Sequence, residues 1–162
     1  MNTPRAMYCA HDDESGPSSR SDVHTKDDTD IFAGKTVLLV EDDDDAREIL
    51  SMLLEHAGAQ VRQADSVAGA LEALDRAVPD LVLCDISMPD ADGYSFARAL
   101  RARPALRGGE VVAVALTAHA RDEDRRRSLA AGFSGHAVKP IDPARLAALV
   151  RELFTAPPAA TR

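Results

Sequence analysis

Five short strand-like segments, each followed by a stretch whose apolar residues recur every three or four positions, constrain this chain more than any other feature. The segments at 36–40, 81–84 and 111–116 are short and rich in Val, Leu and Ala, and with the more polar 60–63 and 135–138 they fall between helical stretches, so all five predict strands. The stretches at 45–56, 67–76, 93–103, 122–131 and 143–154 predict helices. Strands that alternate with helices point to an α/β fold with a mostly parallel sheet and helices on both faces, because parallel neighbours need crossovers of about a dozen residues. Local punctuation agrees. Ala57-Gly58 closes the first helix, Ser66 can cap the second and Asp92 the third, and Asp142-Pro143 offers a cap and a first-turn proline for the last.

The flanks differ in composition. Residues 1–33 are rich in Ser, Asp, Thr and Pro and carry seven acids against three bases, which predicts a disordered acidic leader. Residues 155–162 are expected to form a short C-terminal tail, leaving one domain over 34–154. The formal net charge of −8 argues against a nucleic-acid footprint. No apolar run is long enough to suggest membrane insertion, and the first residues lack a secretory signal, so a cytoplasmic setting is expected. Cys9 and Cys84 have no metal-ligand spacing, and Cys84 is expected to be a small buried apolar residue.

Directly after the first predicted strand stand Glu41-Asp42-Asp43-Asp44-Asp45. Ligands of open α/β sheets bind at the carboxyl ends of the strands. Clustered carboxylates there would repel phosphate unless a cation intervened, and hard oxygen ligands imply Mg²⁺ or a similar ion. Asp44 and Asp45 are expected to cap the following helix and favour its positive end. Asp85, Thr117 and Lys139 follow the third, fourth and fifth predicted strands, so a parallel sheet brings them to the same edge as Glu41 and Asp42.

With Val40-Glu41-Asp42, Cys84-Asp85-Ile86-Ser87-Met88-Pro89, Asp92-Gly93, Ala115-Leu116-Thr117-Ala118 and Val138-Lys139-Pro140 in this order, the chain resembles the receiver domains of two-component response regulators. The resemblance covers about residues 35–154. It implies a doubly wound, flavodoxin-like sheet of five strands in the order 2-1-3-4-5. It also implies that Asp85 accepts a phosphoryl group from a phosphohistidine donor, either a histidine kinase or a histidine phosphotransfer protein. Glu41, Asp42, Asp85 and the backbone carbonyl of Ser87 would hold Mg²⁺, Lys139 and Thr117 would meet the phosphoryl oxygens, and the Lys139-Pro140 bond would be cis. Such a protein is a phosphoacceptor switch with self-catalysed transfer and autodephosphorylation rather than an enzyme acting on others.

Three positions depart from the family or modulate it. His136 stands where the family usually has Tyr or Phe, and it is expected to act with Thr117 as the switch ring. Ser87 and His119, each two residues beyond a site residue, are expected to tune the acyl-phosphate lifetime. About eight residues follow the last predicted helix, so a stand-alone regulator is expected, signalling to a downstream protein through its fourth helix, fifth strand and fifth helix, or by phosphorelay. The alternative is a receiver-like interaction module that works without phosphorylation. A haloacid-dehalogenase-type phosphatase would normally carry a second acid where this chain has Ser87.

Overall fold

A computed structural model describes residues 30–89 and 91–156. Among them are five strands, β1 (Thr36–Val40), β2 (Gln60–Ala64), β3 (Leu81–Asp85), β4 (Val112–Thr117) and β5 (Gly135–Val138), and five helices, α1 (Asp44–His56), α2 (Val67–Arg76), α3 (Gly93–Arg101), α4 (Asp122–Ala131) and α5 (Pro143–Thr155). All strand pairs are parallel, in the order β2-β1-β3-β4-β5. The expected architecture is present.

Side chains of a strand alternate between faces, so each central strand feeds two cores. Leu38, Val40, Val82, Cys84, Ala113 and Ala115 pack with Leu74 of α2, Phe96 and Leu100 of α3, and Ala131 of α4. On the opposite face Val37, Leu39, Leu81, Leu83, Val114 and Leu116 meet Leu50 and Leu54 of α1 and Leu146 and Val150 of α5. Cys84 is fully buried, and burial pushes its thiol pKa well up, as its role as a small apolar residue requires.

The caps at Ser66, Asp92 and Asp142 form as expected, accepting from the N–H groups of Gly69 (3.2 Å), Ser95 (2.7 Å) and Ala144 (2.9 Å). The first helix differs. Asp43, not Asp44 or Asp45, is its cap, with extended backbone and a side chain that accepts from the Ala46 N–H at 2.8 Å, while Asp44 and Asp45 occupy the first turn. Equivalent carboxylates competed for the cap, and the backbone turn after Glu41 decided between them.

The amino-terminal boundary also differs. Asp30–Phe32 form a 3₁₀ turn within the segment expected to be leader, and Phe32 is only 1% exposed in the α1/α5 core. Residues 1–29 of the expected leader lie outside the described residues, as do 157–162 of the expected tail. The helix α3 ends at Arg101, two residues earlier than expected and shortly before Pro104, and the Arg101 side chain forms a clamp. Its guanidinium donates to the carbonyls of Gly132 (2.7 Å), Gly109 (2.9 Å) and Val111 (2.8 Å) and to Ser134 Oγ (3.2 Å).

Candidate functional site

The carboxyl ends of β1, β3, β4 and β5 converge on one acidic pocket. Glu41 continues β1, donating its N–H to the Ala64 carbonyl at 3.0 Å, while Arg47 Nη1 donates to the Glu41 carbonyl at 2.8 Å. These bonds fix the chain where it leaves the sheet, so Glu41 turns inward, 1% exposed, and Asp42 reaches solvent. Asp85 is the last residue of β3 and is 5% exposed, with one carboxylate oxygen accepting from the Ser87 N–H at 3.2 Å. Each of Glu41, Asp42 and Asp85 offers a carboxylate oxygen within 4.8 Å of the others.

Lys139 crosses to these acids from the far edge of the sheet. Its N–H donates to the Thr117 carbonyl at 2.7 Å, its peptide bond to Pro140 is cis, and its Nζ lies 2.5 Å from Glu41 Oε2 and 3.6 Å from Asp85 Oδ1. Thr117 is fully buried, and its hydroxyl oxygen accepts from the His119 N–H at 3.1 Å. Ser87 and His119 lie at the exposed mouth.

Electrostatics show what this pocket suits. Three carboxylates and one ammonium leave two negative charges, which a divalent cation would neutralise. Burial raises the Glu41 pKa above its usual range, the Asp85 charge adds to that, and Lys139 offsets only part. For Lys139, burial acts downward, but Glu41 and Asp85 together outweigh it and raise the ammonium pKa. The donor set therefore fits Mg²⁺, and the ammonium already holds one acid in place for it.

Two features were not legible in the residue types. A Cβ at Gly93 would come within 2.6 Å of the Asp85 carbonyl oxygen and 2.8 Å of Ile86 Cα, so α3 begins pressed against the end of β3. A cleft beside Asp42 is lined by Asp65, Ser66 and Val67 on one side and Met88 and Pro89 on the other.

His136 stands beside Ala115 in the β4–β5 register, two residues from Thr117 along the same face. Its Nε2 is buried without a hydrogen-bond partner among the described residues. Leaving a buried nitrogen unsatisfied is costly, so His136→Phe is expected to raise stability by about 1 kcal/mol in urea unfolding. A loss of stability would show that the nitrogen is satisfied in solution.

Residues 37–151 match the response regulator receiver domain. The chain belongs to that family. An uncharacterized 14.6 kDa protein of Leptolyngbya boryana, from the sodA1 3' region, is 41% identical over 127 residues, 78% of this chain and 95% of that relative. Transcriptional regulatory protein GltR of Pseudomonas aeruginosa is 34% identical over 121 residues, 75% of this chain but 49% of GltR. This receiver thus spans about half the length of that transcriptional regulator. Among solved structures, the receiver domain of sensor histidine kinase PA1611 from Pseudomonas aeruginosa superposes with a TM-score of 0.67 at 33% identity, covering 76% of this chain and all of that one (100%). That structure holds a magnesium ion in its active-site cleft. Chemotaxis response regulator CheY4 of Vibrio cholerae superposes with a TM-score of 0.68 at 27% identity, covering 75% of this chain and 99% of its own.

Proposed function

We propose that this receiver takes a phosphoryl group onto Asp85 from the phosphohistidine of a histidine kinase or phosphotransfer protein. The observation that carries this reading is the cluster of Glu41, Asp42 and Asp85 with the Lys139 ammonium 3.6 Å from Asp85. The Asp85 carboxylate attacks phosphorus, an O–P bond forms as the P–N bond breaks, and the donor imidazole leaves with the electron pair. Mg²⁺, held by Glu41, Asp42, Asp85 and the Ser87 carbonyl, would supply charge neutralisation for an anionic donor. Lys139 neutralises a further phosphoryl oxygen as a point charge. Thr117 donates its hydroxyl proton to the new phosphoryl group, the oxygen that accepts from the His119 N–H keeping a second lone pair free, and His136 beside it changes rotamer as the switch ring.

Output is protein contact at α4, β5 and α5, or onward phosphorelay, in the cytoplasm. A stand-alone regulator is supported by the Leptolyngbya relative, 95% of which this chain matches. No helix among the described residues is long and apolar enough to cross a membrane. The protein is a switch that turns over its own phosphoryl group rather than an enzyme for other substrates.

Intact-protein mass after incubation with acetyl phosphate tests the reading. A Mg²⁺-dependent phosphoryl adduct is expected in the parent chain and none in Asp85→Ala. No adduct in the parent chain from either acetyl phosphate or a phosphohistidine donor would leave a phosphorylation-independent binding module. Ser87 and His119 border the phosphoryl position and set the lifetime of the adduct. Equal dephosphorylation rates for His119→Ala and the parent chain would remove His119 from that role.

A further inference from the structure

Two oppositely charged parts of the chain take no part in phosphoryl chemistry. One is the segment 12–30, with seven acids (Asp12, Asp13, Glu14, Asp22, Asp27, Asp28, Asp30) against Arg20 and Lys26. The other is a cationic face on a protein whose formal net charge is −8. Arg121, Arg125 and Arg126 of α4 and its cap, with Arg145 of α5, are exposed. Among the described residues none of these four guanidinium groups makes a hydrogen bond or ion pair, although α4 opens with Asp122, Glu123 and Asp124.

Geometry places three of them together. Arg127 lies over the Tyr94 ring, 4.6 Å from its centre, so that flank of α4 faces α3. At helical spacing Arg121, Arg125 and Leu129 then lie on the opposite flank, toward β5. On α5, Leu149 and Leu153 border Gly135 of β5, and Arg145 is one turn before Leu149 on that same side. Between them β5 is an edge strand ending in Val138, 37% exposed, and α4 exposes Leu129, 45%. The result is an arginine rim around a modest apolar centre.

We propose that this face is an interaction surface occupied by the chain's own acidic segment, residues 12–30. Ile31 and Phe32 pack into the α1/α5 core, and the Lys35 ammonium lies 5.7 Å from the centre of the Phe154 ring near the end of α5. The described residues therefore begin beside α1 and α5, and the proposed contact can run along either helix. The exposed surface of α1 carries Asp44, Asp45, Glu48 and Glu55, and its Arg47 is already paired with Asp44. Like charge disfavours that route, whereas α5 leads to Arg145 and on to Arg125. Eight residues from Asp30 back to Asp22 span up to about 28 Å, more than the roughly 20 Å length of α5. Tethering keeps the local concentration of the acidic segment high, so weak, screened charge pairs suffice for an appreciable bound fraction. A target at α4, β5 and α5 would have to displace it, a consequence that rests on the proposed output face. The contact itself does not.

Cys9 provides a handle for the test, because the only other cysteine, Cys84, is fully buried. A nitroxide attached to Cys9 of the full chain should broaden amide signals of α4, β5 and the first turns of α5 in preference to those of α1. Raising NaCl from about 0.05 M to about 0.5 M should reduce that enhancement roughly threefold or more. The surface variant Arg121→Glu/Arg125→Glu/Arg145→Glu should abolish it while leaving the dispersion of the remaining spectrum intact. Broadening centred on α1, no broadening, or broadening unchanged by salt and charge reversal would each overturn the proposal. Acetyl phosphate labelling of the same samples separates this test from the proposed function. An intact adduct without the contact overturns docking alone, and the contact without an adduct overturns phosphoacceptance alone.

Discussion

Lys139→Ala is expected to slow Mg²⁺-dependent phosphoryl uptake from acetyl phosphate by on the order of 10²- to 10³-fold, the usual effect of removing one pre-positioned charge from developing negative charge. The same substitution strips Glu41, 1% exposed, of its ion-pair partner at 2.5 Å. The stability cost without metal should be about 2 kcal/mol, below that of breaking a fully buried pair because Lys139 is itself 27% exposed. Its sign with pH follows from the raised pKa values of both partners. The pair contributes its full stabilisation between the raised Glu41 pKa and the ordinary lysine pKa, and loses it as pH falls through the former or rises through the higher folded lysine value, so parent and variant should converge both in acid and in strong alkali. Added Mg²⁺ should restore part of the lost stability, since it offers the stranded carboxylate a second cation. Mass spectrometric time courses and thermal melts by circular dichroism check both halves. An unchanged uptake rate would show that Lys139 serves only to hold Glu41.

Phe32→Ala should cost about 3 kcal/mol and lower the melting temperature by about 10 °C, although it lies far from the acidic pocket. Phe32 is almost completely buried in the core formed by α1, α5 and the inner strands. Truncation removes a whole ring from that core, and the cost belongs near the low end for buried aromatics because the nearby chain end can relax. A cost under about 1 kcal/mol would mean that the 3₁₀ turn detaches in solution at little expense.

Phe32 also shows why part of this fold was hidden. The five strands and helices announce themselves by period, and their order along the chain brings Glu41, Asp42, Asp85, Thr117 and Lys139 to one edge. A single aromatic in a polar segment has no period, and its burial depends on two helices that come later in the chain. The run of five carboxylates was ambiguous for another reason. Asp43, Asp44 and Asp45 have the same side chain, and only the backbone, with φ −76° and ψ 118° at Asp43, selects the cap. Arg101 was opaque because three of its four partners are carbonyls of Gly132, Gly109 and Val111, which carry no side-chain signal. The family resemblance named Glu41 and Lys139 separately. Their direct bond emerges only when β1 and β5 are placed in the same sheet.

The close approach of α3 to β3 sets a limit on laboratory evolution of this protein. Ser87, Ala118 and His119 face solvent, so libraries at these positions can vary size and polarity at the pocket mouth with little penalty to the scaffold. Gly93 offers no such latitude. Any side chain there would collide with backbone atoms of Asp85 and Ile86, which cannot swing aside as a flexible side chain could. A transplant of the acidic pocket onto another sheet would therefore have to carry the glycine and the start of its helix along with the carboxylates.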